Sequence, residues 1–195
     1  MARIIGIPAA PNDGLTHLLA SGAGYLGRRK IHRCQLAPYS ERNTRLANGR
    51  GRSQLILYCD TSALLELYIQ GTHSDLIETQ IDEADAVAVC RIAWAEAHAA
   101  LARRAREVPE DRLVIETAKT TLRSDWPRYV VLEISQTVVE RAGEYADIFA
   151  LRGYDSVQLA TAFEIRRLSR ATIHFACFDV RLNKAARVLG MQTIP

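Results

Sequence analysis

The chain has 195 residues, 48% of them hydrophobic and 24% charged, with a formal net charge of +3, a size and balance suited to one globular domain with a substantial core and hardly to two. No run of about eighteen apolar residues occurs, so no transmembrane helix is expected, and the N-terminus lacks the charge, apolar and small-residue order of a signal peptide; a cytoplasmic protein is the expectation. Four cysteines with no C-x-x-C pair give little support to zinc or dithiol chemistry.

Residues 1–52 carry nine Lys/Arg against two acids, a charge of +7, which leaves sixteen bases and twenty acids, a charge of −4, for residues 53–195. The first segment has little periodicity and scattered Gly, Pro, Asn and Ser, and it is expected to be a disordered extension, because it cannot bury enough apolar surface to offset its ordering entropy. It serves either as a basic arm giving phosphate affinity or as upstream sequence added by a misassigned start. Its Gly22-Ala-Gly24-Tyr-Leu-Gly27 fits G-x-G-x-x-G, but Arg28-Arg-Lys and a polar stretch with Pro38 follow instead of a long amphipathic helix. A glycine-rich linker is the better reading. Cys34 stands alone in this basic stretch.

Regular patterning begins at Ser53. Gln54 to Cys59 reads as a buried strand that stops at Asp60, and Asp60-Thr61-Ser62 supplies short side-chain oxygens suited to a helix N-terminus. Helices are then predicted over Ser62–Gln70 and Ser74–Ile81, and a second buried strand over Ala86–Cys90. An alanine-rich helix over Ile92–Arg106 ends near Pro109. A helix over Glu110–Ser124, a short strand over Tyr129–Ile134 and a helix over Gln136–Leu151, interrupted by Gly153, come next. The remainder reads as a helix over Asp155–Arg167, a strand over Ile173–Phe178, a helix over Arg181–Leu189 stopped by Gly190, and a last strand over Gln192–Ile194. Alternating strands and helices point to a parallel α/β sheet. Cys59, Cys90 and Cys177 each end a strand-like run and read as buried reduced thiols.

Four of the domain's acids stand in apolar company. Asp60 ends the first strand, Glu96 lies inside Ile92-Ala-Trp-Ala-Glu-Ala-His-Ala-Ala-Leu, Asp155 opens Ser156-Val-Gln-Leu-Ala-Thr-Ala-Phe, and Asp179 follows His174-Phe-Ala-Cys-Phe. An ionised carboxylate among apolar side chains is costly unless paired or bound to a metal. Asp155 or Asp179 alone reads as a cap; Glu96, expected in mid-helix, is harder to explain that way. Four carboxylates converging on one sheet edge would raise one another's pKa values. A divalent cation relieves that, and oxygen ligands suit Mg²⁺ or Mn²⁺.

The blocks Asp60-Thr-Ser-Ala-Leu-Leu, Trp94-Ala-Glu96, Gly153-Tyr-Asp155-Ser-Val-Gln-Leu-Ala-Thr-Ala, Cys177-Phe-Asp179-Val-Arg-Leu-Asn-Lys-Ala-Ala and Leu189-Gly190 resemble a PIN domain of the VapC toxin type. The resemblance spans about residues 54–195. It implies a central parallel sheet flanked by helices on both faces and a metal-dependent ribonuclease, a toxin neutralised by a co-encoded antitoxin and commonly dimeric. It also implies an acidic quartet of Asp60, Glu96, Asp155 and Asp179 holding Mg²⁺, with Thr61 or Ser62 as a supporting hydroxyl. Relatives often read Asp-Ala-Leu-His where this chain has Asp155-Ser-Val-Gln, so Gln158 stands in for the histidine, one turn from Asp155 on the same face. Products with a 5′-phosphate and a 3′-hydroxyl are implied.

Other residues are weaker candidates. His98 lies ~200° round the helix from Glu96 and should not share its site, and His174 belongs to its strand. Arg103, Arg104, Arg166, Arg167 and Arg170 could guide RNA but read better as solvated helix ends, where cations are favoured. Trp94 and Trp126 could stack on bases, with burial the better reading for Trp94. The alternative function is RNA or partner binding without cutting; retention of all four acids counts against it. Phosphotransfer modules also place an Asp after the first strand. The phosphatase pattern requires a second Asp where Ser62 stands, and a receiver requires an acidic pair that is missing before Asp60.

Overall fold

The computed structural model describes residues 54–169 and 171–194. The expected N-terminal extension, its glycine motif and Cys34, together with Arg170, lie outside the described residues.

Five strands form a wholly parallel sheet of order β3-β2-β1-β4-β5: β1 (Leu55–Cys59), β2 (Ala86–Cys90), β3 (Val130–Leu132), β4 (Thr172–Ala176) and β5 (Gln192–Ile194). The helices are α1 (Thr61–Leu65), α2 (Ser74–Glu83), α3 (Ala93–Glu107), α4 (Arg112–Asp125), α5 (Gln136–Phe149), α6 (Gly153–Leu168) and α7 (Val180–Val188). Strand side chains alternate between two cores, as the pleat requires. Leu57, Cys59, Val87 and Val89 pack with Ala63, Ile77, Leu101 and Leu122 of α1 to α4. Ile56, Tyr58, Ala88, Cys90 and Phe175 pack with Val138, Leu159 and Leu182 of α5 to α7. Burial on both faces explains why β1 and β2 are apolar runs rather than alternating ones. Cys59, Cys90 and Cys177 are buried and form no disulfide, as expected. Among the described residues no helix is long and apolar enough to cross a membrane.

The α1 helix is shorter than predicted. It ends at Leu65 because Glu66 turns inward, where the Ser74 hydroxyl bonds both its backbone carbonyl (2.8 Å) and its Oε2 (2.7 Å). The break before α6 is also displaced. Gly153 is the first residue of α6, while Ala150 takes the left-handed conformation that ends α5 (φ 52°). Pro109 opens a 3-10 turn, so α4 starts at Arg112 rather than Glu110. The β4 strand stops at Ala176, whose carbonyl accepts from Asp60 N (3.0 Å), so Cys177 to Asp179 turn across the sheet edge. Gly190 stops α7 as predicted, at φ +77°.

Strand order diverges at β1, with β2 on one side and β4 on the other. Open parallel sheets bind ligands in the crevice outside the carboxyl ends of strands at such a switch point. Asp60 and Asp179 follow the two strands that flank it.

Candidate active site

Asp60 caps α1. Its Oδ2 accepts from Ser62 N (3.3 Å), the Ser62 hydroxyl (2.9 Å) and the Cys177 thiol (3.5 Å). Ser62 Oγ in turn accepts from Phe178 N (3.2 Å), tying the end of β1 to the turn after β4. Asp179 caps α7, its Oδ1 accepting from Arg181 N (2.8 Å) and Leu182 N (2.9 Å). Asn183 Nδ2 donates to Cys177 O (2.7 Å) and holds the same turn.

Glu96 lies in the first turn of α3, not in mid-helix as predicted, because the helix begins at Ala93. The unpaired amides there favour a carboxylate. Its Oε2 accepts from the Thr61 hydroxyl (2.5 Å) and from Gln158 Nε2 (2.7 Å). Gln158 Nε2 also donates to Thr61 Oγ1 (3.0 Å), and Gln158 Oε1 accepts from the Tyr58 hydroxyl (2.7 Å). Tyr58 is itself fully buried and stacked on Phe175. Gln158 is thus fixed at both ends, and Glu96 is aimed by groups from β1, α1 and α6.

The four acids share one electrostatic site. Burial and then the charge of Asp60 push Glu96 up to about 7, against the opposing bonds from Thr61 and Gln158, with Asp155 adding to the rise. Burial, then Asp60 and then Asp179, push Asp155 up to about 6. Burial raises Asp60 as well, with the Ser62 hydroxyl the first opposing influence. Such repulsion places the four carboxylates near enough to act on one another's charge.

Asp60, Glu96 and Asp179 are each turned toward neutral donors of the protein, and the Arg152 backbone opposes the rise of Asp155 in the same way. Among the described residues no group of three or more His, Cys, Asp or Glu side chains is arranged to hold a metal ion. A cavity of about 440 Å³ opens between β2, β3, α5 and α6, lined by Ile56, Leu132, Thr161 and Ile165 among others and by none of the four acids. The acids and this cavity are therefore in different places.

Thr61 and Gln158 bond Glu96, and Ser62 bonds Asp60. Cys177, Tyr58 and Asn183 were not singled out as site residues, yet they hold Asp60, Gln158 and the Asp179 turn. The only signal for Cys177 and Asn183 was their position inside one sequence block, and Tyr58 lies in the strand before the first. Arg103 pairs with Glu107, Arg104 with Asp111 and Arg167 with Glu164, consistent with helix-end cations. Trp94 is half-buried, edge-on to Trp126 (4.9 Å) and tilted against His98 (4.7 Å). His174 meets Gln80 from within β4 (3.3 Å).

An all-parallel α/β sheet with carboxylates gathered at its switch point defines the class of this protein. The PIN domain model matches residues 57–188, and the chain belongs to the PIN domain family. It is 31% identical over 140 residues to Ribonuclease VapC45 of Mycobacterium tuberculosis (strain CDC 1551 / Oshkosh), covering 72% of this chain and 95% of that relative. Ribonuclease VapC49 of Mycobacterium tuberculosis (strain ATCC 25618 / H37Rv) matches with the same identity and coverage. The crystal structure of FitAcB from Neisseria gonorrhoeae is similar at a TM-score of 0.47 and 17% identity, covering 71% of this chain and 96% of that one.

Proposed function

We propose that this protein is a metal-dependent endoribonuclease, the toxin of a toxin–antitoxin pair, acting in the cytoplasm as a homodimer restrained by its cognate antitoxin. The observation that carries the reading is the convergence of Asp60, Glu96 and Asp155, where burial first and neighbouring carboxylates second lift Glu96 to about 7 and Asp155 to about 6. Relatives named as ribonucleases support the substrate class.

A carboxylate cluster of this kind suits Mg²⁺ or Mn²⁺, which prefer oxygen donors. Asp60 and Asp155 would be its main ligands, with Glu96 and Asp179 binding directly or through water. When bound, the cation stabilises charge on the scissile phosphate, lowers the pKa of the attacking water and helps the leaving oxygen depart. The chain's own part is orientation. Thr61 and Gln158 hold Glu96 by one oxygen, and Ser62 and Cys177 hold Asp60 by one oxygen. The Tyr58–Gln158 bond keeps the amide from rotating, so Gln158 presents its Nε2 to Glu96.

One observation favours a second reading, RNA or partner binding without cutting: the acids are not yet arranged as a metal-binding group. Cleavage of a total RNA pool by the full chain and by Asp60→Asn, with Mg²⁺ and with EDTA, decides between them. The expected result is metal-dependent cutting that falls at least roughly 100-fold in the variant, since direct ligands matter more than the partners that orient them. Equal cutting by both proteins sinks the nuclease reading. A folded wild type that binds RNA and cuts under no metal condition establishes the second.

A further inference from the structure

We infer that His73 is a stacking platform for a nucleobase beside the acidic site, an assignment that takes its ligand class, RNA, from the function proposed above. The loop between α1 and α2 is built around Glu66, a carboxylate whose side chain has no exposed surface. Ser74 Oγ donates to its Oε2 (2.7 Å), and Gly71 N donates to Ser74 Oγ (2.9 Å). A Cβ on Gly71 would stand 2.5 Å from Glu66 Oε2, so glycine is what lets the loop close over the acid. The other oxygen, Oε1, is buried without a hydrogen-bond partner and faces His73 Nδ1 at 3.6 Å, which is likewise buried without one. A carboxylate opposite Nδ1 favours the proton on that nitrogen.

The imidazole lies flat on Phe178, with ring centroids 4.0 Å apart and planes 16° apart. Phe178 immediately precedes Asp179, and its amide donates to Ser62 Oγ, which donates to Asp60. The ring is therefore at the rim of the acidic crevice. One of its faces is on Phe178 and its Nδ1 is buried, yet the side chain is 40% exposed. Part of the imidazole away from Nδ1 is therefore open to solvent. Ser74 and Gly71 already close the loop without the ring, and what His73 adds is a flat aromatic surface held from behind and below.

Single-stranded RNA is gripped by stacking unpaired bases on such surfaces. A ring already ordered by Phe178 and Glu66 loses little freedom when a base settles on it. A nucleotide flanking the cleaved bond would extend the Phe178–His73 stack by one layer.

The test uses the full chain carrying Asp60→Asn, which prevents turnover, and a randomised single-stranded RNA pool with one 2-aminopurine per molecule. Binding should quench the fluorophore. Adding His73→Ala should weaken binding roughly tenfold and abolish most of the quenching, whereas His73→Phe, which keeps the flat ring, should stay within about twofold of the parent. In the active chain the loss from His73→Ala should fall on KM. Melting curves report folding, and if the alanine variant does not fold, the phenylalanine variant carries the comparison with the parent. Quenching and affinity unchanged by His73→Ala, equal losses in both variants at unchanged melting temperature, or a parent that binds no RNA would each overturn the assignment. A wild type that never cuts RNA, while binding and quenching still depend on His73, removes the nuclease reading and leaves the platform in place.

Discussion

Glu96 sits where a helix N-terminus welcomes a carboxylate, yet burial and the charges of Asp60 and Asp155 hold its pKa near 7. Raised carboxyl pKa values have a definite sign in stability. Between about pH 4 and 7 the folded protein keeps protons on Glu96 and Asp155 that the unfolded chain has released. Metal-free stability is therefore fullest below that window and falls as pH rises through it. Glu96→Gln should raise stability at pH 7.5 in EDTA by on the order of 1–2 kcal/mol and flatten the slope, while abolishing RNA cleavage. Thermal melts from pH 4 to 8 check this, and an unchanged slope in the variant would show that Glu96 is not a source of it. At this scale the acids were legible because each stands against apolar neighbours. Cys177 and Tyr58 were not: Cys177 meets Asp60 across 117 residues of sequence and Tyr58 meets Gln158 across 100, and no local pattern marks such pairs.

The strands and longer helices carry local signals strong enough to read directly, since fully buried strands are apolar runs and α3 and α4 have one apolar face. Boundaries followed side-chain chemistry that periodicity does not register. The α1 helix stops early because Glu66 turns inward to Ser74, and α5 stops at Ala150, a non-glycine residue in a left-handed conformation. The loop after α1 makes its own prediction. Gly71→Ala forces a methyl against the buried Glu66 carboxylate, 2.5 Å from Oε2, and should destabilise the fold by about 1–3 kcal/mol. Urea denaturation measures it. A loss confined to a few tenths would mean that the loop yields freely and Glu66 is not the element's anchor.

Across the whole molecule, two cores clamp a five-stranded sheet and leave its carboxyl edge to four acids that repel one another. Such a site is destabilising until its charge is balanced, so a divalent cation should stabilise the fold as well as permit chemistry. At about 100 times its Kd, Mg²⁺ or Mn²⁺ should add roughly 2.7 kcal/mol to unfolding free energy at neutral pH, seen as a higher Tm. The shift should vanish in Asp155→Asn. A cation-induced shift of equal size in the variant would place the binding elsewhere on the molecule.

Sequence alone determined the alternation of strands and helices and the buried character of β1 and β2, and it singled out the four acids, because each of these is written in the polarity of neighbouring residues. The tertiary structure decided which side chains aim those acids, that Glu96 opens its helix, and that the ring of His73 lies on Phe178 at the rim of the site. Those facts depend on strand order and on contacts between distant segments, and a one-dimensional pattern has no term for the packing that brings them together.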